Sequence, residues 1–224
     1  MSGRNAILNK LRTQIGGGDS GARRAAVAAR LSQHPDGVIP ARGHLEGRKR
    51  TALFCQMAEK VSASVQRVRR QESIPRAVAD YLRSKNLAPS IRMGADNRLE
   101  RLPWDKVRSL DVKRGPADPE DEVGVSHAFA GIAETGTLIL HSGSDNPTTV
   151  NFLPEHHIVI VKASEIAPDL ESAFASLRQK FGAGVMPRTV NMITGPSRSG
   201  DIEQKLLLGA HGPRALHIIV VDDI

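Results

Sequence analysis

Apolar positions recur at helical spacing in the first third of the chain and at strand spacing in much of the rest. Ile7, Leu8, Leu11 and Ile15 follow Ser2, a favourable N-cap, and predict a first helix that the run GGGDSG at 16–21 ends. From there to Arg50 the chain carries glycine, proline and many arginines. Within it ARRAAVAARL can form a short helix, but the stretch as a whole reads as an exposed, flexible basic arm. Leu53, Met57, Val61, Val65 and Val68 share one helical face, which predicts a helix over 51–69. SIPRAVADYLRSKN predicts the next, with Ser73 as cap, Pro75 in the first turn and Asn86 as the stop.

The period then changes. SIRMG and VRSLDV are short strand candidates, and DPEDE at 118–122 reads as an acidic surface turn. Val123–Phe129 and Thr137–His141 predict strands on either side of a turn that holds Glu134. HHIVIV, TVNMIT and ALHIIVVDD are compact apolar runs of the kind that strands covered on both faces require. An amphipathic helix over 168–181 lies between the first two, with Leu170, Phe174, Leu177 and Phe181 on its buried stripe. The pattern predicts an N-terminal helix and flexible basic arm over 1–50, then an α/β domain over 51–224 with a helical lead-in at 51–88.

Composition narrows the class. With 40% apolar and 25% charged residues, the 224-residue chain suits a globular protein, and 3% aromatics leave the core to Leu, Ile, Val and Ala. No apolar run approaches the ~18 residues of a membrane span, and the start resembles no secretion signal, so the cytoplasm is the expected location. The single Cys55 excludes an internal disulfide, a CxxC motif, a cysteine-rich zinc site and an all-protein iron–sulfur site. Its neighbours Phe54 and Met57 place it in a helix interior as a core thiol.

Charge divides unevenly. Residues 1–115 hold 24 Lys and Arg against 10 Asp and Glu, a surplus of 14 positive charges, whereas residues 116–224 hold 7 against 14. Such a split suits an anionic partner for the first half or a set of solvated, arginine-rich helix faces. Nucleic acid is not expected. There is no helix-turn-helix or zinc-finger signature, and Phe54, Tyr81 and Trp104 are too scattered for a stacking platform.

Two loops carry the candidate chemistry. Glu134 stands with Thr135, Gly136 and Thr137 between strand-like runs, as a catalytic group, a ligand contact or a carboxylate that anchors its own turn. TGPSRSGDIEQKLLLGAHGP follows directly on VNMI. Thr194, Gly195, Ser197 and Arg198, beside GDIEQ read as a helix start, can hold a carboxylate or phosphate, while Asp201 and Glu203 would repel one or else cap that helix. The stretch matches neither a Walker loop nor a dinucleotide fingerprint. His156 and His157 alternate across a strand and cannot share an ion, HExxH is absent, and no metal is expected. His211 with Gly212 is the histidine best placed for a ligand, because its glycines permit close approach.

AGIAETGTLIL, LPEHHIVIV and ITGPSRSGDIEQKLLLGAHGPRALHIIVVD, in that order and spacing, closely resemble the LUD-domain family and, within it, the lactate utilization C branch. The likeness is specific over about residues 123–222 and weakest over 22–50. It implies a Rossmann-like three-layer α/β fold of the ribose-5-phosphate isomerase and CoA-transferase group. It implies a non-redox role in oxidising L-lactate to pyruvate, beside two cysteine-rich iron–sulfur sister proteins, with no cofactor on this chain. Related CoA-transferases use a loop glutamate as nucleophile, which gives Glu134 a comparable position and leaves a free-standing enzyme acting on a small carboxylate, sugar phosphate or CoA ester as the alternative. A pocket for a small organic acid or anion is expected beyond the strand ends, from Glu134–Thr137, Thr194–Arg198, Asp201, Glu203 and His211–Gly212.

Overall fold

The computed structural model describes residues 3–15, 20–182, 184–202 and 205–222. Ser2 and the glycines at 16–18 lie outside them. Residues 1–38 and 39–224 form separate compact units. In the first unit, α1 (Gly3–Gln14) and α2 (Ser20–Gln33) are helices, and Ile7, Leu11, Ile15, Val27 and Leu31 are all exposed. The helical spacing that predicted a helix therefore meets no core among the described residues of this unit.

The second unit opens with α3 (Gly47–Lys60), which starts and ends earlier than the apolar spacing predicts. Ser62 takes a positive φ of 71°, and the chain leaves the helix to form β1 (Ser64–Val68). Val65 and Val68 are thus strand residues, because pairing with a buried neighbour outweighs a helical period that five apolar positions satisfy equally well. Arg50, in the basic arm by sequence, is part of this unit: it donates to Leu45 O at 2.8 Å and Ile166 O at 3.2 Å.

Next come α4 (Ile74–Ser84), β2 (Ser90–Met93), the short α5 (Asn97–Glu100) and β3 (Asp111–Arg114). Pro75 sits in the first turn of α4 and Asn86 stops the segment with φ 59°, as the residue pattern predicts, whereas Ser73, at the cap position, makes no side-chain capping bond. The strands β4 (Val123–His127), β5 (Ala130–Ile132), β6 (Thr137–His141), β7 (His156–Lys162), β8 (Ile166–Ala167), β9 (Val190–Ile193), β10 (Arg198–Ile202), β11 (Lys205–Leu208) and β12 (Ala215–Val221) follow. Two helices, α6 (Thr148–Phe152) and α7 (Leu170–Phe181), interrupt that series.

Six strands form a wholly parallel sheet in the order β1-β12-β7-β4-β2-β3. A second, mixed sheet runs β8-β5-β6-β9. One face of the large sheet packs Ile158, Ile160, Ile219 and Val221 against Val78, Leu82 and Trp104. The other packs Val159, Val161, Ile218 and Val220 against Phe54 and Ala58 of α3 and Leu138 and Leu140 of β6. Beyond the small sheet, Ile139 and Ile132 meet Ala173 and Leu177 of α7. The architecture is Rossmann-like α/β in stacked layers.

Three local expectations change. Val123–Phe129 divides into β4 of the large sheet and the approach to β5 of the small one, so Glu134 lies between β5 and β6. The acidic turn at 118–122 is not wholly a surface feature. Asp121 is buried and accepts from Arg92 Nε at 2.6 Å, with Asp118 accepting from Arg92 Nη2 at 2.9 Å. Gly200–Ile202, the described part of GDIEQ, belong to a strand and not to a helix start: β10 and β11 pair antiparallel, with Arg198 opposite Leu208 and Ser199 opposite Leu207. The apolar LLL run supplies a strand partner, and cross-strand pairing overrides the capping signal in the acids.

Candidate functional site

The β5–β6 turn is shaped by what presses on it. Gly136 has φ +69°, and a Cβ there would come 2.3 Å from Ala58 N of α3. Only glycine combines that conformation with that approach. Glu134 is 6% exposed; its N–H donates to Pro168 O at 3.3 Å, and its Oε2 has no protein partner. Thr135 and Thr137 hydroxyls stand 2.7 Å apart, and Thr137 is 2.7 Å from the Thr194 hydroxyl. A chain of three hydroxyls thus links this turn to the exit of β9.

That exit borders a cavity of about 290 Å³, lined by Thr194, Gly195, Ser197, Arg198, His211 and Gly212 together with Asn151, His157, Met192 and Leu216. Six of the residues singled out in the sequence therefore meet here. Glu134, Thr135, Gly136 and Thr137 do not line it, and the hydroxyl chain is their link to it. Asp201 falls in β10, where only its backbone is described, and Glu203 lies outside the described residues.

The loop residues hold one another in place. Ser197 N–H donates to Pro213 O at 2.8 Å, its carbonyl accepts from Gly209 N–H at 3.0 Å, and its hydroxyl accepts from His211 N–H at 3.4 Å. Gly195, with φ +76°, passes so close to Val61 O that a Cβ would lie 2.3 Å from it, and Arg198 donates to the same carbonyl. The glycine is therefore demanded by backbone packing. Arg198 nonetheless remains exposed and keeps further guanidinium donors for an anion at the cavity mouth.

The floor was not legible in the loops. Ser126 of β4 donates to Asn151 Oδ1 at 2.8 Å, and His157 Nε2 lies 3.1 Å from the Ser126 hydroxyl. Asn151 Nδ2 and His157 Nδ1 are left without protein partners. Burial alone pushes the His157 imidazole down to about 3, so it is neutral at ordinary pH. The usable signal was a polar residue inside the buried strand run HHIVIV; TTVNF carries no comparable mark for Asn151.

The cavity sits beside the amino ends of β7 and β12, since His157 and Leu216 are the second residues of those strands and pair directly. Open α/β sheets more commonly bind at the carboxyl ends. Here that end is occupied by Arg98, which bonds Asp96 at 2.7 Å, Ala128 O at 3.1 Å and Glu165 at 3.4 Å. Burial, followed by the nearby Arg98 charge, lowers His127 to about 4. A hollow of about 320 Å³ beside it is lined by Gln71, Asn97, Arg98, Arg101 and Lys162. Among the described residues, no three His, Cys, Asp or Glu side chains gather as a metal ligand set, and no helix is long and apolar enough to cross a membrane.

The LUD-domain family model matches residues 51–221, which contain the six-stranded sheet, both loops and the cavity. The chain belongs to the LUD-domain family. Similar sequences include lactate utilization protein C of Bacillus subtilis (strain 168), 42% identical over 122 residues, covering 53% of this chain and 50% of that protein. Lactate utilization protein C of Geobacillus thermodenitrificans (strain NG80-2) is 39% identical over 116 residues, covering 51% and 48%. The chain thus matches about half the length of these curated relatives. A DUF162-family crystal structure from Deinococcus radiodurans shares the fold with a TM-score of 0.57 at 23% identity, covering 79% of this chain and 99% of that one.

Proposed function

We propose that this LUD-domain chain acts in the oxidation of L-lactate to pyruvate as a non-redox component that binds a small organic acid in the cavity. The observation that carries this reading is the identity of the lining: Thr194–Arg198 and His211–Gly212, which lie within the stretch matched by the LUD-domain family, also line the cavity. Arg198 supplies a fixed positive charge for a carboxylate, and Phe152, Met192 and Leu216 supply apolar walls for its substituent. One cysteine cannot build an iron–sulfur cluster, so electron transfer falls to cysteine-rich partners. The similarity to lactate utilization protein C sequences supports placing the chain in such a system.

The test has two arms. Calorimetry with organic acids, sugar phosphates and CoA esters should single out organic acids, with Arg198→Ala weakening binding about tenfold through loss of a charge-assisted bond. In a bacterium lacking its own lactate utilization C protein, this chain should restore growth on L-lactate and the Arg198→Ala variant should restore it poorly. Binding confined to sugar phosphates or CoA esters would overturn the assignment.

A second reading rests on Glu134, a buried carboxylate whose Oε2 no protein group meets. In an acyl-transfer enzyme that oxygen would attack the thioester carbonyl of an acyl-CoA and expel the CoA thiolate, leaving a glutamyl anhydride. Intact-mass measurement after mixing with acetyl-CoA and hydroxylamine separates the two readings. A modification that is lost in Glu134→Gln would favour the enzyme.

A further inference from the structure

Two hollows adjoin at the carboxyl end of the large sheet, at the other end of β7 from the cavity. One, of about 770 Å³, has Arg76, Lys106 and Arg108 in its lining. The other, of about 320 Å³, has Arg98, Arg101 and Lys162. Glu72 and Pro103 line both, so the two form one depression. Lys162 is the last residue of β7, and the lining residues Gln71 and Asn97 follow the ends of β1 and β2. Six cations thus line the depression with one carboxylate, Glu72.

Many cations of this domain are taken up by the fold: Arg67 by Asp222, Arg92 by Asp118 and Asp121, Arg98 by Asp96 and Glu165. Arg101, Lys106 and Arg108 differ. All three are exposed, and among the described residues no carboxylate pairs with them. Arg76 only approaches Asp80, at 4.0 Å. Part of the positive surplus of the first half therefore survives internal pairing, and it survives around a concave surface.

We infer that this depression docks an extended acidic segment of a partner protein. Its cations belong to two hollows that meet at Glu72 and Pro103, which suits carboxylates spaced along a chain better than one small anion. Arg98 already turns all three guanidinium nitrogens to Asp96, Ala128 O and Glu165, so a lone phosphate would have to compete with them. Trp104 is buried, and the segment offers no ring to stack on bases or to anchor in lipid. Pro75, Pro103 and Val107 supply apolar floor for the methylenes between a peptide's carboxylates. The inference is independent of the organic-acid reading, because His157 and Lys162 stand about 17 Å apart along β7.

Fluorescence anisotropy of the full chain with fluorescein-labelled decaglutamate tests it. Binding should weaken with added salt. Combined Arg101→Glu, Lys106→Glu and Arg108→Glu should weaken it at least about tenfold. The same change of charge in α1, Arg4→Glu, Lys10→Glu and Arg12→Glu, should weaken it less than about twofold. Nitrogen-15 NMR of the unaltered protein gives a readout that no variant's folding can disturb. Decaglutamate should shift the amides of Asn97–Ser109 and leave those of Thr194–Arg198 in place. No binding, equal losses in the two triple variants, or shifts confined to other residues would overturn the docking surface. Tighter binding at Asn97–Ser109 by inorganic pyrophosphate, a thymidine decanucleotide or phosphatidylserine vesicles would overturn the assignment to a protein segment.

Discussion

His156 and His157 are adjacent in β7 and serve opposite faces of one sheet. On the first face, the Tyr81 hydroxyl lies 2.9 Å from His156 Nδ1, and the Tyr81 ring stacks on His217 at 4.3 Å. Ser64 meets His217 Nδ1 at 2.8 Å. Those histidines fill space beside Val78, Leu82 and Ile219, and although His217 Nε2 has no protein partner, neither histidine lines the cavity. On the second face, Ser126 ties His157 to Asn151, and each of these two residues, which line the cavity, keeps one buried polar atom without a protein partner. Burial is the same on both sides. What distinguishes a candidate site is an unmet polar atom beside a space that a ligand can fill.

The contrast can be broken most severely through the roof of the second face. Gly136→Ala places a Cβ against Ala58 N with φ locked at +69°, and should cost about 3 kcal/mol in urea unfolding. A cost below about 0.5 kcal/mol would mean that α3 does not bear on the Glu134 turn.

Acid should act on both faces together. Burial holds His127 and His217 down to about 4 and His157 to about 3, against an ordinary value of 6.5. Between those values the unfolded chain binds protons that the folded one refuses. Stability is therefore fully present above about pH 6.5 and falls as pH drops towards 4. Urea midpoints at pH 7, 6 and 5 should decline steadily, and His157→Gln should flatten the decline. A constant midpoint over that range would mean that these imidazoles are not held neutral.

Tyr81→Phe sharpens the comparison at smaller scale. It leaves His156 Nδ1 unmet and should cost about 1–2 kcal/mol, with organic-acid affinity unchanged because the cavity is on the other face. The smallest effect is expected at Glu134. Its Oε2 accepts no bond, so Glu134→Gln should leave stability unchanged or raise it by about 1 kcal/mol. A loss larger than that would make the carboxylate an anchor for its turn.

Helix α4 could be read from the residues because Pro75 suits its first turn and Asn86 its stop, although Ser73 makes no side-chain capping bond. The strand β1 could not. Val61, Val65 and Val68 fit a helical face, and the break at Ser62 is a backbone conformation with no residue signature. The β10–β11 hairpin was hidden for a similar reason: acids after a glycine signal a cap, and only pairing between the two segments makes them strands. At the site, the glycine-rich loops announced Thr194–Arg198 and His211. His157 and Asn151 did not announce themselves, since they meet only through Ser126, once β4 lies beside β7 in parallel register.

The sequence by itself determined the apolar runs that must be strands, the single thiol that rules out a cluster, and a basic first half followed by an acidic second. Where those charges end up was decided by tertiary structure. Arg67 pairs with Asp222, Arg92 with Asp118 and Asp121, and Arg98 with Glu165. The parallel sheet sets β1 beside β12 and β2 beside β4, interleaving early strands with late ones. Cations from one half of the chain are thereby brought against anions from the other, and part of the surplus that suggested a partner is neutralised within the fold.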